Sequence, residues 1–353
     1  MPLNPKPTYV ANYNVTYQRQ LGSWLASISF LGNKTTHLWS NNGEGNPAIF
    51  VPGNCAAGQF GLTAPGLCST TSNTNQRRVL YQANPTLGKA YASINTMDDG
   101  AVAHYNGLLM SVQHRFAHNF TFLTNYTYSN CISDTDFGAA LATPANSRPF
   151  NRHADWGSCV FDTRHNFNTT LVATSSLQGA RPWVRRLLSD WEFAPLIHAS
   201  SGQPLNVTAG KDNSLTGLNN DRPNLVLANT AAPNPICNNG STPCVQFLNP
   251  AAFQPNASGT FGNLGHNALR GPATINFDAA LSRIFRLTER FKVQARLDAF
   301  NVLNHTNFAG AISPAGTVTG YSTLSTNESS STFGRVQSAF DPRILQFALK
   351  LYF

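Results

Sequence analysis

The chain has 353 residues, of which only 11% are charged, against about 25% in a typical soluble domain; this excludes a disordered polyelectrolyte, a coiled coil and an ordinary soluble helical enzyme. Its net charge of +8 comes from 24 basic and 16 acidic residues, but the basic ones are scattered and adjacent only at Arg77–Arg78 and Arg185–Arg186, so a nucleic-acid partner is not expected. No apolar run approaches the roughly 18 residues of a transmembrane helix, and the opening MPLNPKPTYVANYNVTYQRQ has neither the basic nor the apolar region of an export signal.

Period-two alternation dominates from the start. Tyr9, Ala11, Tyr13, Val15 and Tyr17 share a face opposite Asn12, Asn14, Thr16 and Gln18. After a short link, Trp24, Ala26, Ile28 and Phe30 oppose Leu25, Ser27 and Ser29, which predicts a hairpin. A second hairpin pairs Leu108–Phe116 with Phe120–Ser129 across Ala117–His118–Asn119. A third joins Phe167–Ala173 to a strand from Trp191 to about Ser201, through RPWVRRLLSD, which can form a short amphipathic helical turn. In a fourth, Ile275, Phe277, Ala279, Leu281, Phe285 and Leu287 face one way. After Thr288–Glu289–Arg290, Phe291, Val293, Ala295, Leu297 and Ala299 oppose Lys292, Gln294, Arg296 and Asp298. A last strand runs from Arg343 to Phe353.

This makes about nine strands of roughly ten residues, the length a tilted transmembrane strand needs. Links alternate in size: short after odd-numbered strands, long after even-numbered ones, at 33–101, 131–163, 202–273 and 304–342. The long loops are rich in Gly, Pro, Asn, Ser and Thr and hold the cysteines, with Cys131 at a boundary. Local closure is the simplest pairing: Cys55 with Cys68, Cys131 with Cys159, Cys237 with Cys244. Disulfides imply an oxidising compartment. Hydrocarbon cannot satisfy backbone polar groups, so a sheet there must close, apolar outside and polar inside. The expected fold is therefore all-β, an antiparallel transmembrane barrel portion with short periplasmic turns and long extracellular loops. The alternative, a secreted soluble sandwich, would carry more surface charge and less one-sided loops.

The final strand, with Leu345, Phe347, Leu349, Leu351 and the terminal Phe353 on one face, resembles the C-terminal signal strand of bacterial outer-membrane proteins, which the barrel assembly machinery reads. The stretches HYNGLLMSVQHRFAHNFTFLTNYTYSNCISD, HASSGQPLNVT, NNDRPN and LTERFKVQARLDAFNVLNHTNF resemble the C-terminal half of Oar-like TonB-dependent receptors. The resemblance implies a barrel of roughly 22 strands around a plug, with TonB, outer-membrane lipid and an unidentified solute as partners. It also implies that residues 1–353 are the C-terminal portion of one barrel domain, lacking the N-terminal barrel half and plug. Such a portion would supply wall and loops, not energy coupling; the competing function is a surface adhesin or structural barrel protein.

Candidate lumen-facing residues are Arg115, Lys292, Gln294, Arg296, Asp298 and Lys350, because these charges are expensive against lipid. No cofactor, metal or catalytic residue is expected. His165 lies near Asp162 and His153 near Asp155, but no GxSxG, HExxH or P-loop pattern accompanies them. Asp98, Asp99, Asp134, Asp136 and Asp221 lack cation-loop spacing and read as turn formers.

Overall fold

The computed structural model describes residues 4–117, 119–135, 146–177, 179, 181–219, 221–239, 242–308, 324–336 and 338–353. Nine long strands form an unbroken antiparallel path: β1 (Tyr9–Leu21), β2 (Trp24–Glu44), β3 (Asn95–Ala117), β4 (Phe120–Ser133), β5 (His165–Thr174), β6 (Trp191–Ser200), β7 (Thr274–Arg286), β8 (Lys292–Phe300) and β9 (Ile344–Tyr352). Gly157–Ser158 adds a short side pairing to β4. Among the described residues β1 and β9 are each paired on one side only, so the barrel is not closed.

Cross-strand partners share a face, so register decides what each face presents. One line runs Tyr17, Ile28, Met110, Tyr126, Phe167, Ala199 and Ile275 across seven strands. The line beside it runs Gln18, Ser27, Ser111, Asn125, Asn168, His198 and Asn276. The wall therefore has one apolar and one neutral-polar face, and much of its aromatic and aliphatic surface is exposed. At the short-turn end, Gly22 has φ 60° in the two-residue β1–β2 turn, a conformation a side chain disfavours. The third link contains α1 (Pro182–Leu188), the helical turn expected there.

Strands β2 and β3 are longer than alternation suggested. β2 has 21 residues and β3 has 23, so residues 33–44 and 95–101 belong to strands rather than to the first long loop. Above Phe30 the sequence loses its apolar face at Gly32, Asn33, Lys34, Thr35 and Thr36, which is why periodicity missed it. That part needs no lipid-facing side. It is held by the backbone ladder, with register shifts between Thr35 and Gly43, and by the buried trio Leu38, Ala101 and Ala103. Cys131 likewise lies inside β4, not in a loop.

The long loops pack into a cap rather than trailing free. Val207, Leu248, Ala252, Phe253, Leu264 and Phe333 form one buried cluster; Leu205, Leu324 and Val336 form another. Two-residue pairings stitch them: Pro204–Leu205 to Leu269–Arg270, and Asn224–Leu225 to Phe253–Gln254. Backbones approach so closely that a Cβ on Gly202 would collide with the Gly271 carbonyl oxygen.

Candidate functional site

The polar face of the wall presents amides and hydroxyls with few net charges. The His198 ring Nδ1 lies 2.7 Å from Asn168 Oδ1, and Asn168 Nδ2 donates to Asn166 Oδ1 at 2.9 Å. At the long-loop end of this face an open cleft of about 480 Å³ is lined by His198, Asn276, Asp278, Asn301, Asn307 and Phe340, among others. Asp278 there accepts from Asn276 Nδ2 and from the Asn301 backbone N–H. Such a surface can hydrogen-bond a polar solute or a packed protein segment.

The six residues expected to face the lumen fall on this same side. Lys292 pairs with Tyr352, Gln294 with Lys350, Arg296 with Ala348 and Asp298 with Gln346. Arg296 and Asp298 form an ion pair at 2.8 Å, two residues apart on β8. Arg115 continues the side of Gln113 and Ser111 toward the short turn. On the other side Leu345, Phe347, Leu349 and Leu351 pair with Ala299, Leu297, Ala295 and Val293, all outward and apolar, and Phe353 is the most exposed of the large hydrophobic residues.

The cap is built on buried arginines, which sequence reasoning missed. Arg77 is fully buried; its guanidinium donates to the carbonyls of Ile49 (2.7 Å), Leu215 (2.8 Å) and Thr70 (2.9 Å) and to Asn73 Oδ1 (2.9 Å). Burial pulls this guanidinium below its ordinary pKa. Arg78 pairs with Glu44 at 2.9 Å. Arg222 pairs with Asp155 and also donates to the carbonyls of Leu264 and Ala154. Arg270 and Arg164 both reach Asp162. Arg222–Asp155 and Arg270–Asp162 each lock the third long loop to the second, while Arg78–Glu44 ties the first long loop to the end of β2. The available signal was the presence of rare charges, NNDRPN among them, in charge-poor loops.

The His–Asp neighbours are not assembled as dyads. Asp162 accepts from the Cys131 backbone N–H at 2.7 Å and from Arg270, while His165 Nδ1 lies 2.7 Å from the Tyr126 hydroxyl. Asp155 serves Ser147 and Arg222, and His153 stacks on Trp156. The acidic candidates are similarly engaged. Asp98 pairs with Arg152, Asp99 accepts from the Lys6 backbone N–H, and Asp134 accepts from the Val102 backbone N–H. Asp221 accepts from the Ser214 backbone N–H, and Asp212 accepts from those of Thr216 and Gly217. Burial pushes the Asp134 and Asp221 carboxyls above the usual range. Asp136 and His118 lie outside the described residues. Among the described residues no group of three or more His, Cys, Asp or Glu could hold a metal. All three expected disulfides are present: Cys55–Cys68, Cys131–Cys159 and Cys237–Cys244.

An apolar face this wide needs an apolar partner to cover it, protein or membrane, and the family comparison points to the membrane: the model for an outer membrane beta barrel domain matches residues 1–346. The chain belongs to this outer-membrane family. Among the described residues no helix is long and apolar enough to cross a membrane; the family is one that crosses the outer membrane with strands. Among curated proteins no match is found. Solved structures similar to the chain include the outer membrane transporter YddB from Escherichia coli, 8% identical, with TM-score 0.45, covering 99% of this chain and 33% of that one. The ferripyoverdine receptor of Pseudomonas aeruginosa is 10% identical, with TM-score 0.42, covering 98% and 27%. The siderophore receptor PirA from Acinetobacter baumannii is 11% identical, with TM-score 0.39, covering 98% and 32%. The chain thus spans a third or less of the length of each.

Proposed function

We propose that this outer-membrane chain is the C-terminal portion of a TonB-dependent receptor barrel, contributing wall and surface loops to the uptake of a polar solute. The observation that carries the reading is the division of the molecule: a lipid-facing wall with a neutral-polar inner side, surmounted on one end only by loops welded into a cap. The cap presents the solute side. The polar face, with Arg115, Lys292, Gln294, Arg296, Asp298 and Lys350 at its lower half, lines the lumen and meets the plug. Solute capture by the loops precedes plug movement on TonB pull, and no covalent step is assigned to this chain.

Reading the gene upstream of Met1 tests this. An unbroken frame encoding an export signal, a plug and further strands supports it. A stop codon immediately upstream, with the 353-residue protein found in the outer membrane, overturns it in favour of a surface adhesin or structural barrel protein.

A further inference from the structure

On β7 a charge lies on the apolar, outward face where alternation calls for a hydrocarbon contact. Arg283 sits between Leu281 and Phe285, paired with Trp191 and Ala295. A guanidinium there is tolerated only near the membrane interface. Its Nη1 donates to the Leu187 carbonyl at 2.8 Å, and its Nη2 donates to the Arg186 carbonyl. Its face covers the Trp191 ring at 5.4 Å and the Phe285 ring at 4.9 Å. Trp191 Nε1 donates to the same Leu187 carbonyl at 2.9 Å. The last carbonyls of α1 are thereby tied to the wall, and the helix is held at the short-turn rim.

So held, α1 leaves much of its apolar and basic surface exposed. Trp183 is 63% exposed, and Leu187 and Leu188 are more than half exposed. Among the described residues Arg185 and Arg186 form no salt bridge. Between α1 and the β7–β8 turn lies an open cleft of about 1110 Å³, lined by Trp183, Arg185, Arg186, Asp190, Arg286 and Leu287, among others. Asp190 is the one carboxylate of its described lining, against Arg185, Arg186 and Arg283, with Arg286 at its rim on the polar side opposite Lys292. A tryptophan and leucines at headgroup level beside arginines are the makings of an interfacial lipid contact. Guanidinium groups bind phosphate oxygens in matched pairs.

We infer that this cleft binds the headgroup phosphate of an anionic phospholipid from the periplasmic leaflet, with the acyl chains lying along Trp183, Leu187, Leu188 and Leu287. The positive cleft selects anionic over zwitterionic headgroups. The inference rests on membrane location alone and stands whether or not the protein transports a solute.

The test uses the protein as extracted from the outer membrane in mild non-ionic detergent, titrated with phosphatidylglycerol or phosphatidylcholine. Bound lipid is counted by native mass spectrometry. Phosphatidylglycerol should be retained about tenfold better, given several arginines at an anionic headgroup. The double variant Arg185→Gln/Arg186→Gln should bring it down to the phosphatidylcholine level, and Arg185→Lys/Arg186→Lys should keep most of the preference. Arg19→Gln, another outward basic residue at the same end but outside the cleft, should change nothing. Heat-shifted migration on a gel confirms that each variant is folded. Equal retention of the two lipids by the wild type, an unaltered preference in the glutamine double variant, or an equal loss with Arg19→Gln overturns the assignment.

Discussion

The wall and the cap of this molecule solve the burial problem in opposite ways. The wall leaves Tyr17, Ile28, Phe193, Leu281 and Phe347 exposed, because lipid supplies the apolar environment. Its polar groups are satisfied by the antiparallel ladder, as hydrocarbon requires. The cap has no such solvent and makes its own interior. Its two apolar clusters are small, so arginines, carboxylates and asparagines fill the remaining space, Arg77 on backbone carbonyls and Arg222 on Asp155 among them. A wall strand is thus specified by which side of the sheet each residue faces. A cap loop is specified by partners far away in the chain, since Arg77 meets Leu215 across 138 positions.

The strongest test of this division is Arg222→Ala. It leaves the buried Asp155 carboxylate without its main cation, and stranding a buried charge costs about 3–5 kcal/mol. Hydrogen exchange should show that loss of protection around residues 147–158 and 221–226, with the amides of Tyr126 and Phe167 in the wall unchanged. Equal deprotection of the wall would break the comparison, since cap and wall would then unfold as one unit. Next is the Cys131→Ser/Cys159→Ser pair, which opens a bridge between residues 28 apart. Loop-closure entropy sets about 3–4 kcal/mol for a loop of that size. Because Cys131 belongs to β4, this loss should extend into the upper wall, as shown by exchange at Asn130 and Ile132.

The faces of the wall give the third test. Leu349→Arg places a cation on the outward side near the middle of β9, where the penalty is about 2–4 kcal/mol. Ala348→Arg, one residue away on the polar side, should stay within about 0.5 kcal/mol. Folding titrations into lipid vesicles read both, and equal penalties would abolish the assignment of sides.

The same contrast explains what could be read in advance. The nine wall strands were legible because each obeys a period of two that a single residue's neighbours reveal. The upper parts of β2 and β3 were not, since a strand above the membrane has polar groups on both faces and no alternation to detect. The disulfides were legible because each closes locally. The pairs Arg222–Asp155 and Arg78–Glu44 were not: nothing near Arg222 in sequence points to residue 155. Arg283 was passed over because a lone charge on an apolar face has meaning only once α1 is seen beneath it.

The smallest effect concerns pH and distinguishes the cap's buried carboxylates from paired ones. Asp221 is fully buried, and burial is the largest influence on its carboxyl, raising it despite the Ser214 hydrogen bonds. A carboxyl raised in the folded state binds its proton more tightly there than in the unfolded chain, where its pKa is about 3.9. Its ionised form therefore weakens the cap above the folded-state value. That cost is relieved as pH falls through the folded-state value toward about 4, so the group makes the cap more stable in mild acid. Asp134, also raised by burial, acts in the same direction. Asp221→Asn keeps an oxygen for the Ser214 backbone N–H but cannot titrate. Melting of the cap between neutral and mildly acidic pH, followed by cleavage in residues 205–225, should show a smaller gain on acidification in the variant than in the wild type. A variant whose gain equals the wild type's would mean that Asp221 is ionised in the fold at low cost, held as Asp155 is held by Arg222, and that the cap stabilises all its carboxylates in one way.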